Sequence, residues 1–178
     1  MAATNYTKIE VFDIADLTAI PEKLPWAIDT TTLAHSLHIR NRTLSYIIAK
    51  RAGMYTTHTI PKKSGGRRLI HAPNSMLKHV QTKVLDTFLN PLDYPEHISA
   101  YVPNRTTKHG AAQHAGKPLL IVLDLKDFFT STRRSWVMHA IQQLWHYPHA
   151  VASALADVMT VPLQTPEGTR YVVPQGAP

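Results

Sequence analysis

LIVLDLKDFF, at residues 120–129, is the stretch that decides the fold prediction for this 178-residue chain. The continuous apolar run at residues 119–123 is typical of a strand that is buried on both faces. Such a strand would bring Asp124 to its carboxyl end, where a carboxylate can reach a cleft. Phosphoryl-transfer enzymes hold Mg²⁺ with carboxylates at such positions. Capping the turn after the strand is an equally simple role for Asp124.

A basic β-hairpin is predicted upstream of this stretch. Residues 55–60 (YTTHTI) are rich in β-forming residues, and the Ser-Gly-Gly at residues 64–66 is a turn signal before a return strand that ends at Pro73. Arginine and lysine bind phosphate, and glycines let backbone N–H groups approach an anion. A tip that is merely solvated is the alternative. The tip carries Lys62, Lys63, Arg67 and Arg68.

Hydrophobic periodicity elsewhere predicts helices, so the predicted fold class is α+β. A first helix should be capped by one of the threonines at residues 30–32, and a second should end in a left-handed conformation at Gly53. Trp136 and Trp145 fall in a helical segment and are predicted to be core residues. The remaining predicted elements are a helix at 75–89, helices at 133–146 and 149–160 and a strand at 169–173, with residues 91–118 irregular.

The composition favours a polyanionic partner. The net charge is +7 with histidine neutral, so nucleic acid is the first candidate. The chain has no cysteine, which excludes disulfides and thiolate metal sites. Residues 1–10 lack the apolar region of a signal peptide, and no apolar run is long enough to span a membrane. We therefore predict a cytoplasmic protein without a membrane partner.

LDLKDFF, within the opening stretch, is similar to polymerase motif A of reverse transcriptases, in which an aspartate is followed five positions later by an aromatic residue. The resemblance implies that Asp124 is the catalytic residue and binds metal, with two Mg²⁺ ions in the complete enzyme. It implies that Phe129 packs against the sugar and excludes a 2′-hydroxyl, which selects dNTP. Backbone amides at Asp127 and Phe128 should contact the triphosphate, while the Phe128 side chain should be core.

The hairpin resembles the fingers hairpin of retron and group II intron reverse transcriptases, in which basic residues close on the triphosphate. Arg68 fits the "R-x-I-x-x-P" pattern of that family through Ile70 and Pro73. Arg67 is the alternative, and either Lys62 or Lys63 should assist. The following helix has Lys78 and Gln81 in the place of the "LK-x-x-Q" of these enzymes, which implies that Lys78 lies near the template backbone.

Two further segments extend the resemblance. VVPQGAP, at residues 172–178, is similar to motif B, which implies that Gln175 and Gly176 lie beside the nascent base pair and bind the nucleotide. Residues 99–114 stand where the family has an RNA-binding segment, and Arg105 and His114 fit its pattern. Ser-Ala-Tyr at residues 99–101 replaces the usual His-Gly-Phe.

Together the motifs resemble a bacterial retron-type reverse transcriptase. The resemblance implies a right-hand polymerase fold with an N-terminal extension (1–29), fingers (30–118) and a partial palm (119–178). It implies an RNA-directed DNA polymerase that uses dNTP, a DNA primer and a structured non-coding RNA template. Motif C (Tyr-x-Asp-Asp) and the thumb do not occur in these 178 residues, so we expect a fragment or one half of a split enzyme. That chain would be inactive without a C-terminal half from the same gene or a separate chain. A non-catalytic RNA-binding subunit and a defence-associated, abortive-infection type polymerase are the alternatives.

Overall fold

The structure is a computed structural model that describes residues 24–62 and 65–178. Most of the predicted N-terminal extension, and Lys63 in the hairpin tip, therefore lie outside the described residues. The helices are α1 (Thr30–Ser36), α2 (Asn41–Lys50), α3 (Ser75–Val84), α4 (Thr107–Ala112), α5 (Phe128–Ser131), α6 (Arg134–Trp145) and α7 (His149–Val158). The strands are β1 (Tyr55–Pro61), β2 (Arg67–Pro73), β3 (Val161–Thr165) and β4 (Gly168–Val172). The mixture of helices and small antiparallel sheets confirms the α+β class.

The ends of the first two helices differ from the prediction. Asp29, one residue before the predicted threonines, caps α1: its carboxylate accepts from the backbone N–H of Thr32, whose hydroxyl oxygen accepts from the backbone N–H of Asp29. Gly53 was expected to be left-handed, which is wrong. It lies in a 3-10 turn, Arg51–Met54, that continues α2 directly into β1. The chain therefore turns there without needing positive φ.

The two hairpins form separate two-stranded antiparallel sheets. β1 pairs with β2 from Tyr55 opposite Pro73 to Pro61 opposite Arg67, which confirms the predicted hairpin. β4 lies where the last strand was predicted, and it pairs with β3, which was not predicted. Pro162 within β3 argues against a central strand, but a two-stranded sheet has only edges, where proline is tolerated.

Helices from both halves of the chain share one hydrophobic core. α7 packs against α1, α2 and α3, and Leu33, Ile47, Val80 and Leu155 are fully buried. A π-helical turn, Leu85–Leu89, extends α3 and buries its phenylalanine. The two tryptophans were both predicted to be core, but Trp145 is only partly buried against the core and Trp136 is exposed. The Trp145 ring stacks 6.1 Å from that of Phe88, whereas Trp136 is 60% exposed on α6.

The apolar run at residues 119–123 is not a buried strand, and that prediction is wrong. The segment has no regular secondary structure, and its side chains are 57–89% exposed. A run of apolar residues becomes a strand only where another strand accepts its backbone hydrogen bonds. Within the described ranges no strand pairs with this segment, because β1 pairs with β2 and β3 pairs with β4.

A buried ion cluster joins elements that are distant in sequence. The Asp157 carboxylate on α7 accepts from Arg51 Nη2 at 2.8 Å and from Arg134 Nε at 2.6 Å. Arg134 also donates to the hydroxyl of Ser153, and the Arg51 guanidinium lies 4.7 Å from the ring centroid of Tyr171 on β4. One carboxylate thus holds α6, α7 and the turn before β1 together.

In the described parts of the chain, no helix is both long and apolar enough to cross a membrane.

Candidate functional site

Two backbone hydrogen bonds bring the three predicted nucleotide-binding segments together. The N–H of His71 on β2 donates to the carbonyl oxygen of Gln175 at 2.9 Å, which attaches the C-terminal loop to the basic hairpin. The N–H of Val173 donates to the carbonyl oxygen of Thr132 at 3.0 Å, which attaches the same loop to the segment after Phe129. The loop therefore lies between the hairpin and α5.

A cleft of about 820 Å³ opens between these segments. Four of the predicted nucleotide-binding residues line it: Arg68, Phe129, Gln175 and Gly176. Its other walls come from α3 and its π-helical extension and from the loop at residues 100–103. Sequence motifs that are far apart along the chain thus share one concave surface, with a cation and an aromatic ring on its wall.

Strand alternation distinguishes the two arginines of the hairpin. Successive side chains of a strand point to opposite faces, and Arg68 and Ile70 both line the cleft. Arg67 is exposed and precedes Arg68 by one position, so it lies on the opposite face of β2. Of the two predicted alternatives, Arg68 is the one that can reach a ligand in the cleft.

Gly176 is required by the close approach of its loop to the hairpin. Its φ of +105° is one that residues with side chains rarely adopt. A Cβ atom there would lie 2.6 Å from Cγ2 of Ile70, well inside van der Waals contact. The glycine therefore lets the backbone lie directly against the cleft face of β2.

Gln81 is a cleft residue whose structural role the sequence did not reveal. Its side chain is 6% exposed, and its amide nitrogen donates to the Tyr55 hydroxyl at 2.8 Å and to the carbonyl oxygen of Val158 at 2.9 Å. Burial raises the pKa of Tyr55 to about 12. Gln81 thus fixes β1 to the end of α7 at the base of the cleft. Helical spacing alone would not have distinguished it from a surface glutamine.

Asp124 lies in the exposed segment and does not line the cleft. Among the described residues there is no group of three histidine, aspartate or glutamate side chains that could hold a metal ion. The residues present therefore do not by themselves make the predicted Mg²⁺ site. Asp127 precedes α5 with a left-handed backbone, φ +52°. The prediction that the Phe128 side chain is core is wrong, because it is 54% exposed.

The predicted RNA-binding residues differ in their surroundings. Lys78 lies on α3, and its side chain is exposed. Lys62, a predicted nucleotide-binding residue at the hairpin tip, is exposed as well. Arg105 instead directs its guanidinium inward, to the backbone carbonyl oxygens of Tyr94, Pro95 and Ile98. These bonds occupy N–H donors of the Arg105 guanidinium and hold the loop at residues 94–98. The guanidinium keeps its positive charge. His114 follows α4 and lines a second, smaller cavity.

Sequence comparison identifies relatives of one kind. The chain is 38% identical over 130 residues to the retron Mx65 reverse transcriptase of Myxococcus xanthus, which is 71% of this chain and 30% of that protein. It is 25% identical over 138 residues to the retron Se72 reverse transcriptase of Salmonella heidelberg, and 25% over 157 residues to the retron Ec86 reverse transcriptase of Escherichia coli. These matches cover 77% and 87% of this chain, and 36% and 46% of those proteins. No protein-family model matches the chain.

These matches confirm the resemblance predicted from the motifs. The chain is related to the reverse transcriptases, and the relatives named here are of the retron type. It spans between 30% and 46% of their length.

Proposed function

We propose that the chain is the nucleotide-binding part of a retron-type RNA-directed DNA polymerase, with a right-hand fold built from fingers (30–118) and palm (119–178). The observation that carries the proposal is the shared cleft, where Arg68, Phe129 and the loop at Gln175 and Gly176 meet. The ligand would be a dNTP, with an RNA template and a DNA primer as macromolecular partners. The similarity to retron reverse transcriptases supports this assignment.

Each cleft residue has a role that its chemistry suits. Arg68 is exposed, cationic and lines the cleft, and a guanidinium can pair with two oxygens of a phosphate. Lys62 at the tip of the same hairpin would add a mobile charge. Phe129 presents an aromatic ring, which would pack against the sugar and leave no room for a 2′-hydroxyl. The Gln175 side chain would contact the base, and Gly176 would allow close approach of the backbone.

Asp124 would contribute one carboxylate to two Mg²⁺ ions in the complete enzyme, where the metals would stabilise the charge of the transferring phosphoryl group. Among the described residues, Asp124 belongs to no group of three or more histidine, aspartate or glutamate side chains that could hold a metal ion. We therefore propose that this chain alone is inactive and that a C-terminal half with Tyr-x-Asp-Asp and the thumb supplies the remaining ligands. Primer extension by the purified 178-residue chain would contradict this.

The test of the cleft is equilibrium binding of a fluorescent dNTP to the full chain. Arg68→Ala should weaken binding roughly 10-fold or more, because a charge-assisted contact to phosphate is worth about 1.5–3 kcal/mol. Arg67→Ala is the matched control: it removes the same charge from the opposite face and should retain nearly the parent affinity. Equal losses in both variants would indicate a general electrostatic effect, and no loss in either would refute the site.

Two other functions stay open to experiment. A non-catalytic RNA-binding subunit would bind RNA but would show no Arg68-dependent dNTP binding. A defence-associated polymerase of the same superfamily would use the same cleft, and sequencing of its products would separate templated from untemplated synthesis. In a reconstituted enzyme, Asp124→Ala should abolish synthesis and leave RNA binding intact.

A further inference from the structure

A second cavity adjoins the cleft, and Tyr101 lies between the two. The cavity has a volume of about 560 Å³, and Tyr101 and Ala100 line both spaces. Tyr101 is 90% exposed, so most of its ring is open to a ligand. The polar residues that line the second cavity include Ser99, Thr106, Thr107, Gln113 and His114.

The loop that carries Tyr101 is held from within by Arg105. Besides the three carbonyl oxygens that its guanidinium contacts, its backbone N–H donates to the carbonyl oxygen of Val102 at 3.2 Å. The amide of Gln113 on the far side of the cavity donates to the carbonyl oxygen of Glu96 at 2.8 Å. A ring presented by a loop that is already fixed loses little freedom when a ligand stacks on it.

The charge around this cavity favours a polyanion. Between Glu96 and Asp124 the sequence has no acidic residue. The same interval contributes Arg105, Lys108 and Lys117 together with several histidines. A positive segment with an exposed aromatic ring is the combination that binds single-stranded nucleic acid, because cations contact the backbone and the ring stacks on a base.

We propose that the Tyr101 ring stacks on an unpaired base of single-stranded RNA and that the adjacent nucleotide occupies the second cavity. The proposal rests on the proposed function, since a template strand must pass beside the nucleotide cleft. Hydroxyl and amide groups of the cavity can hydrogen-bond base edges or a 2′-hydroxyl. Tyr101 thereby holds a template nucleotide that is still unpaired, next to the cleft in which the paired template base meets the incoming nucleotide.

The test compares a labelled oligouridylate of roughly 12 nucleotides with an abasic oligonucleotide of the same length, by fluorescence anisotropy with the full chain. Tyr101→Ala should weaken oligouridylate binding roughly 5- to 100-fold, the range for loss of one base–aromatic stack. Tyr101→Phe should retain the parent affinity. Tyr101→Asn should weaken binding like Tyr101→Ala. Because the backbone of Tyr101 has φ +60°, a conformation that asparagine tolerates, Tyr101→Asn also guards against misfolding. Tyr46→Ala removes another exposed tyrosine, on α2, and should have no effect.

The abasic oligonucleotide decides the mechanism. Stacking predicts that all variants bind it as the parent does, because it offers no base. Equal losses for both oligonucleotides, or no loss with oligouridylate, would overturn the proposal. If the chain binds dNTP through Arg68 but RNA without a contribution from Tyr101, this inference fails and the proposed function stands. If dNTP binding does not depend on Arg68, the proposed function fails whatever Tyr101 does.

Discussion

Asp157→Asn should be the most destabilising single polar substitution in the ion cluster, because it removes the charge that two arginines share. The Asp157 side chain is 10% exposed, and its arginine contacts at 2.6 and 2.8 Å are both charge-assisted. Breaking a buried ion pair costs about 3–5 kcal/mol, since the remaining charge stays buried. The side chains of Arg51 and Arg134 retain 17% and 25% exposure, so we expect the lower end, about 3 kcal/mol.

Urea denaturation of the full chain measures this effect. With a slope of about 2 kcal/mol per M, the unfolding midpoint of Asp157→Asn should fall by about 1.5 M with the slope unchanged. Glu167→Gln is the matched control, because it breaks the exposed pair with Arg170 and should leave the midpoint at its parent value. Coincident midpoints for the two variants would refute the conclusion that the Asp157 cluster stabilises the fold.

Three further substitutions test the cleft and the contacts beneath it. Gly176→Ala should lower the free energy of unfolding by about 2 kcal/mol, through backbone strain and through contact of the new Cβ with Ile70. In thermal unfolding, the double variant Gly176→Ala/Ile70→Ala should recover only the part of this loss that comes from the contact. Gln81→Leu should cost about 2 kcal/mol in urea, because the buried carbonyl oxygen that it bonds loses its partner. Burial lowers the pKa of His71 below its ordinary 6.5. Just below pH 6.5 the imidazole is therefore protonated in the unfolded chain but not in the folded one, and the free energy of unfolding falls as the pH falls. His71→Gln should reduce that fall between pH 7.5 and 5.5, and unchanged pH dependence would contradict it.

Local signals in the sequence predicted the first hairpin and most helices. β-forming residues flank a Ser-Gly-Gly turn in the hairpin, and the periodic apolar residues of α3 follow a capping asparagine, Asn74. These features depend on neighbours within a few positions, so the sequence contains enough to predict them. The cleft residues were predicted by resemblance, and which arginine faces the cleft became clear only from the register of β2.

The errors concern interactions between distant segments. Residues 119–123 have the composition of a buried strand, yet a strand depends on a partner that the run itself cannot specify. β3 was missed because Pro162 argues against a central strand, while its actual position is an edge. The Asp157 cluster takes its members from three separate elements, and no local sequence pattern predicts that these residues lie together.

Photoaffinity labelling with 8-azido-dATP, followed by peptide mapping, tests the nucleotide cleft most directly. We predict labelling of peptides that contain Arg68, Phe129 or Gln175, because these residues line one cleft, and loss of the label when unlabelled dATP is added. Label confined to peptides outside the cleft, or label that dATP does not displace, would contradict the assignment of this cleft as the nucleotide site.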